Sequence, residues 1–110
     1  MRIVTGSRLT QACEQYREAA TAIRAWRKIV KHAQWRNFPE LRQTFKAADY
    51  VEWKGTGYVV FSILQNRYRL VTIVRYSREQ GGRIVEGYAF IRSFLTHKEY
   101  DNKNNLDKGK

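Results

Sequence analysis

The sequence predicts an α+β domain, an antiparallel β-sheet with N-terminal helices packed on one of its faces, and three observations carry that prediction. Over the first third, apolar residues recur at alternating steps of three and four, at Leu9, Ala12, Tyr16, Ala19, Ile23, Trp26, Val30 and Ala33. That spacing is the buried stripe of an amphipathic helix. From Ala48 onward the period falls to two and glycine-bearing turns separate the runs, as strands and hairpins require. Helical and strand patterns are segregated along the chain, not alternated, which favours helices on one face of a sheet over a parallel βαβ fold. With 110 residues, the chain has the length of one domain with one core.

Each element has its own local argument. Residues 2–4 form a short strand that Gly6 and Ser7 interrupt, and Ser7 is placed to cap a helix starting near Arg8. Arg17, Arg24, Lys28 and Lys31 lie opposite the apolar stripe. A coiled coil fits the spacing too, but the small alanines and the later strands favour a helix lying on a sheet. Pro39 suits the first turn of a short helix reaching about Phe45, capped by Asn37 or Phe38, with Leu41 and Phe45 on one face.

Tyr50, Val51 and Trp53, then Gly55, Thr56 and Gly57, then residues 58–64 read as a hairpin. Gln65 and Asn66 form the next turn. In the third strand, 67–76, Arg67, Arg69, Val71, Ile73 and Arg75 share one face, and Tyr68, Leu70, Thr72, Val74 and Tyr76 the other. Gly81 and Gly82 supply a further turn. The last strand, about 84–95, closes the meander. Within it Phe90, Arg92 and Phe94 share one face, and Ile91, Ser93 and Leu95 the other. Residues 1–101 are thus expected to form the domain, and the polar stretch 102–110 a disordered tail. The sheet face away from the helices is left for function.

Composition narrows the partners. Twenty-one basic against ten acidic residues give a net charge of +11 and a pI of about 10.2, which calls for a polyanion, nucleic acid or an acidic protein. The N-terminus lacks the apolar core of a signal peptide, and the longest apolar run, at 58–64, is far short of the ~20 residues that span a bilayer. The expected location is therefore the cytoplasm, with no membrane role. Cys13 is alone, and one cysteine with two distant histidines has no zinc spacing, so neither disulfide, metal nor cofactor is expected.

The chemistry concentrates at 90–101, where a strand runs into Thr96, His97, Lys98, Glu99, Tyr100 and Asp101. Cutting RNA without a metal requires that the 2′-hydroxyl lose a proton, the 5′-oxygen gain one, and the added charge on phosphorus be stabilised. Arginine suits the last task because its fork matches phosphate oxygens and stays charged. Arg67, Arg69 and Arg92 are the candidates, and His97 is a candidate base or acid because an ordinary imidazole changes charge near working pH. Each has a plainer account, as a solvated basic strand and a surface histidine. Lys98 is a phosphate contact or a solvated charge, and Tyr100 stacks on a base or packs in the fold. Glu99 fits the T-x-x-E capping box with Thr96 better than it fits catalysis.

The passage NRYRLV at 66–71, the strand FIRSFL at 90–95 and THKEYD at 96–101 resemble the HigB family of type II toxin–antitoxin systems. Trp35, Arg36, Asn37 and Phe38, followed by Leu41, Phe45, Ala48 and Asp49, resemble that family's middle region. The resemblance runs from roughly Leu9 to Asp101. It implies a RelE-like fold and a ribosome-dependent mRNA endonuclease neutralised by a helix-turn-helix antitoxin of the HigA type. It also carries Asn66, Arg69, Arg92, His97 and Tyr100 over as site residues. Family members tend to break the long helix near the position of Arg17, often with proline. No breaker is present here, so one helix and two in series both fit. The family often has a glycine in the turn that Gln65 and Asn66 occupy.

The reading is a metal-independent endoribonuclease, with Arg69, Arg92, His97 and Tyr100 catalytic and Asn66, Arg67 and Lys98 binding substrate. The alternatives are a non-catalytic RNA- or ribosome-binding module and an interaction protein for an acidic partner.

Overall fold

A computed structural model describes residues 1–107. In chain order, β1 (Arg2–Val4) is followed by α1 (Ser7–Gln15), a 3-10 turn at Arg17–Ala19, α2 (Ala20–His32) and α3 (Phe38–Thr44). The strands β2 (Asp49–Trp53), β3 (Thr56–Ile63), β4 (Tyr68–Arg75), β5 (Arg78–Gln80), β6 (Arg83–Val85) and β7 (Tyr88–Thr96) come next. A single helical turn, α4 (His97–Tyr100), and a 3-10 turn at Lys103–Asn105 complete them. The α+β layout is the one that the pattern of the sequence predicts.

The main sheet has five strands in the order β1-β7-β4-β3-β2. It is mixed, not purely antiparallel, because β1 lies parallel to β7. A parallel neighbour cannot be joined by a hairpin. Here the chain leaves β1 through the helices and re-enters the sheet at β2, on the opposite edge. The long last strand is also divided. Ser77 Oγ accepts from the Gly87 amide at 3.2 Å, and the Gly87 backbone lies so close to the Arg75 carbonyl that a Cβ would collide with it. β6 therefore pairs with β5 as a separate hairpin, turned by Gly81 and Gly82 at φ 60° and 75°.

The apolar stripe of the helices is buried as predicted, with Leu9, Ala12, Ala19, Ile23, Trp26 and Val30 against Val59, Phe61, Leu70 and Ile91 of the sheet. It belongs to two helices. Tyr16 leaves helical geometry at φ −122°, ψ 76°, and its ring packs on Tyr68 and Phe94 with centroids 4.9 and 5.7 Å away. The break needs no proline because both its ends stay bonded: the Tyr16 amide donates to Ala12 and its carbonyl accepts from Ala19. The first helix begins at Ser7 with Gly6 as cap residue, and no side chain caps it. Asn37 does cap α3, accepting from the Glu40 amide at 2.9 Å.

The second sheet face is where expectation and structure part most. A cluster of Tyr58, Val60, Val71 and Leu95 is covered there by Leu106, which is completely buried. Stretch 102–107 is therefore packed, whereas disorder was expected of it; positions 108–110 lie outside the described residues. Burying one leucine side chain is worth about 1.5–3 kcal/mol, enough to hold a short segment that also finds polar partners.

Candidate functional site

Arg69 stands on β4 facing away from the helices, as the alternation predicts. Its Nη1 donates to the Asn66 carbonyl at 2.7 Å, and its guanidinium lies over the Tyr100 ring, 5.5 Å from the centroid. The turn behind it is left-handed at three successive residues, Leu64, Gln65 and Asn66, with φ of 53°, 53° and 70°. That is how a turn without glycine presents the Asn66 carbonyl to Arg69, at a steric cost of roughly 1–2 kcal/mol for each non-glycine residue. Asn66, Arg69 and Tyr100 are thus brought together.

Tyr100 is placed by the capping box read from the sequence. The Glu99 amide donates to Thr96 Oγ1 at 3.2 Å, and the Thr96 amide donates to Glu99 Oε1 at 2.9 Å. This reciprocal pair closes the one turn of α4. Burial pushes the Tyr100 phenol above its ordinary value, the Asp49 carboxylate adds to that, and Arg69 partly opposes it. His97 and Lys98 are exposed at the start of the same turn, and His97 stands three residues before Tyr100, hence on a neighbouring position of its surface. The His97 amide donates to the Arg67 carbonyl at 3.0 Å, tying α4 to the end of β4.

Arg67 itself precedes β4 and lies in the turn, exposed. Its charge helps to lower the Glu18 carboxyl, although the hydrogen bond from the Tyr68 hydroxyl contributes more. The expectation that Arg67 is a strand residue sharing the face of Arg69 therefore fails, because β4 starts one residue later, at Tyr68.

Arg92 departs further from the pattern. β7 pairs Ser93 with Val71 and Ile91 with Thr72, leaving Arg92 as the extra residue of a bulge. Because strand faces alternate with period two, one inserted residue reverses every face beyond it. Phe94 consequently packs on the helical side with Tyr16 and Tyr68, while Phe90 stays on the other face beneath the Arg92 guanidinium, 4.8 Å from its centroid. The three do not share one face, contrary to the alternation.

On the outer face Arg92 meets Asp107. Nε and Nη2 both donate to Asp107 Oδ1, at 3.0 and 2.6 Å, and the Tyr58 hydroxyl donates to Oδ2 at 2.9 Å. The pair is well shielded, with side-chain exposures of 11% for Arg92 and 4% for Asp107. Burial, followed by the bond to Asp107, raises the Tyr58 phenol above its ordinary value. Leu106 packs on Leu95 and Val71, the residues that separate Arg69 from Arg92 on the sheet, so the two guanidiniums do not converge. Lys54 and Trp53, with Tyr58, Asn104 and Asp107, line a cavity of about 210 Å³ beside this pair. Sequence reasoning passed over Tyr58, Lys54 and Asp107 as site residues. Among the described residues, no group of three or more His, Cys, Asp or Glu side chains is arranged to hold a metal, and no helix is long and apolar enough to cross a membrane.

The arrangement is that of a small basic α+β protein carrying cations and a phenol on one sheet face. The model of the HigB_toxin family, described as the RelE-like toxic component of a toxin–antitoxin system, matches residues 19–103, and the chain belongs to that family. It is 26% identical over 101 residues to the mRNA interferase toxin HigB of Escherichia coli K12, covering 92% of this chain and 88% of that protein. The mRNA interferase HigB of Shigella flexneri matches to the same extent. Membership implies an antitoxin partner.

Proposed function

We propose that this toxin is an endoribonuclease that cleaves mRNA on the ribosome, without a metal, and that a HigA-type antitoxin with a helix-turn-helix neutralises it in the cytoplasm. The observation that carries this reading is Arg69, anchored by the Asn66 carbonyl and laid over the Tyr100 ring beside His97. The names of the similar proteins support it. Cleavage by attack of the 2′-hydroxyl needs a group that takes a proton, a group that returns one, and a fixed positive charge at the phosphate. His97 is exposed and free to transfer a proton at either step. Arg69 supplies the charge, and Arg92, set apart from it by Leu95 and Val71, meets a second phosphate when its fork is available. Tyr100 stays a phenol at neutral pH and donates a hydrogen bond or stacks on a base. Asn66, Arg67 and Lys98 hold the flanking backbone.

The test is single-turnover cleavage on saturated ribosomes. Arg69→Ala should lose about 10²–10³ in rate, as removal of one transition-state stabiliser typically does. Arg69→Lys should recover part of it, since an ammonium keeps the charge and loses the fork. Full-speed cleavage by the alanine variant would remove Arg69 from the catalytic group. Transcripts left intact by the wild-type protein would favour a module that binds RNA and does not cut it.

A further inference from the structure

The Arg92 guanidinium on the sheet face is a ready phosphate ligand, yet a carboxylate of the same chain fills it. Asp107 presents one oxygen to two guanidinium nitrogens and the other to the Tyr58 hydroxyl, the kind of donor set that a phosphate's oxygens would find. The segment that delivers it touches the rest of the site as well. Lys103 Nζ lies 4.8 Å from the centroid of the Tyr100 ring, which Arg69 also covers. Leu106 sits over the sheet between Arg69 and Arg92, and its carbonyl accepts from Ser93 Oγ at 2.9 Å. Asn105 Nδ2 donates to the Glu99 carbonyl at 2.7 Å.

We propose that residues 102–107 form a strap that occupies the RNA site from within, the Asp107 carboxylate standing where a substrate phosphate binds between Arg92 and Tyr58. This rests on the reading of the sheet face as an RNA-binding surface. Lys54 and Trp53 at the neighbouring cavity provide a cationic and aromatic approach that an incoming nucleotide would use once the strap lifts. The family match ends at residue 103, so Leu106 and Asp107 lie beyond the matched residues. Leu106, the Arg92–Asp107 ion pair and the hydrogen bonds from Tyr58, Ser93 and Asn105 hold the strap, and it continues from α4 without crossing any strand, so it can leave while the sheet stays intact. RNA and strap then compete for the same groups. Apparent affinity falls by the fraction of molecules that are open, so a strap closed in about 90% of molecules weakens binding ~10-fold.

The experiment uses the full chain and a short single-stranded RNA whose 2′-hydroxyls are methylated, so that it binds and is not cut. Amide hydrogen exchange over residues 102–107 should speed up when this RNA saturates the wild-type protein. Asp107→Asn should bind the RNA about 10-fold more tightly, and Leu106→Ala, which loosens the strap without touching the ion pair, should change affinity in the same direction. Glu14→Gln, at an exposed position of α1 that does not touch the strap, makes the same charge change as Asp107→Asn and sets the gain due to charge alone. Strap amides that stay protected in the RNA complex would overturn the proposal, as would an Asp107→Asn affinity no higher than that of Glu14→Gln. Should Asp107→Asn fail to fold, the wild-type exchange and Leu106→Ala decide. Ribosomal cleavage assayed alongside keeps the two readings apart. RNA that displaces the strap but is never cut sinks the endonuclease and leaves the strap standing. Wild-type cleavage with an undisturbed strap sinks the strap alone.

Discussion

Tyr58 and Tyr100 meet the site as phenols because the fold shields both rings and sets a carboxylate near each, Asp107 beside one and Asp49 beside the other. Both therefore titrate above the ordinary tyrosine value, and the sign of the resulting pH dependence follows. Below about pH 10, folded and unfolded chains alike keep these protons, so the contribution to stability is fully present. As the pH rises past that value, unfolded tyrosines ionise first, and stability is lost until the folded values are passed. Denaturant midpoints followed from about pH 8 to about pH 11 should fall, and Tyr58→Phe should fall less steeply. Equal slopes would mean that Tyr58 ionises as readily in the fold as outside it. Individual residues were unevenly legible in the sequence. Arg69 was found because β4 alternates without a fault over residues 68–75. Arg92 was found by type and lies with Phe90 as the alternation predicts, but Phe94 was misplaced by face, because the bulge at Arg92 is set by pairing with another strand. Asp107 gave no signal at all, since its only meaning is the guanidinium that it reaches.

At the scale of elements, legibility followed how local the cause was. The Thr96 and Glu99 box and the Asn37 cap are bonds between residues three apart, and both were readable. The break at Tyr16 is made by an aromatic contact with Tyr68 and Phe94, which lie in strands far along the chain. The mixed sheet depends on where β1 returns, which no local pattern encodes. α4 is the element on which the site depends most, for it is a single turn with no buried residue, and the box is its main closure. Thr96→Ala should cost roughly 0.5–2 kcal/mol, taken largely from this turn. Cleavage should fall, and the melting temperature of the whole domain should drop only slightly. Glu99→Gln keeps the return bond, so its activity should stay near wild type. A stable Glu99→Gln protein without activity would make Glu99 a participant in the chemistry and not a cap.

At the scale of the whole molecule, whose net charge is +11, exposed basic side chains among the described residues stand on two layers that face opposite ways. Arg24, Lys28 and Lys31 are exposed on the helical layer, whereas Arg69, Lys98 and Lys54 belong to the sheet face and its rim. On the proposed reading the toxin has two partners to satisfy, RNA and its antitoxin, and two basic surfaces would let each have its own. If RNA lies on the sheet face, only cations there release counterions when it binds. The logarithm of affinity for single-stranded RNA then falls with the logarithm of salt by about 0.7 for each phosphate contacted. Lys98→Gln should reduce that slope by about 0.7, and Lys28→Gln on the opposite layer should leave it unchanged. The two variants carry the same charge and differ only in the face they alter, so a global effect of net charge would move both slopes equally. Equal changes would mean that RNA binds without regard to face, and the sheet surface would lose its claim to be the RNA site.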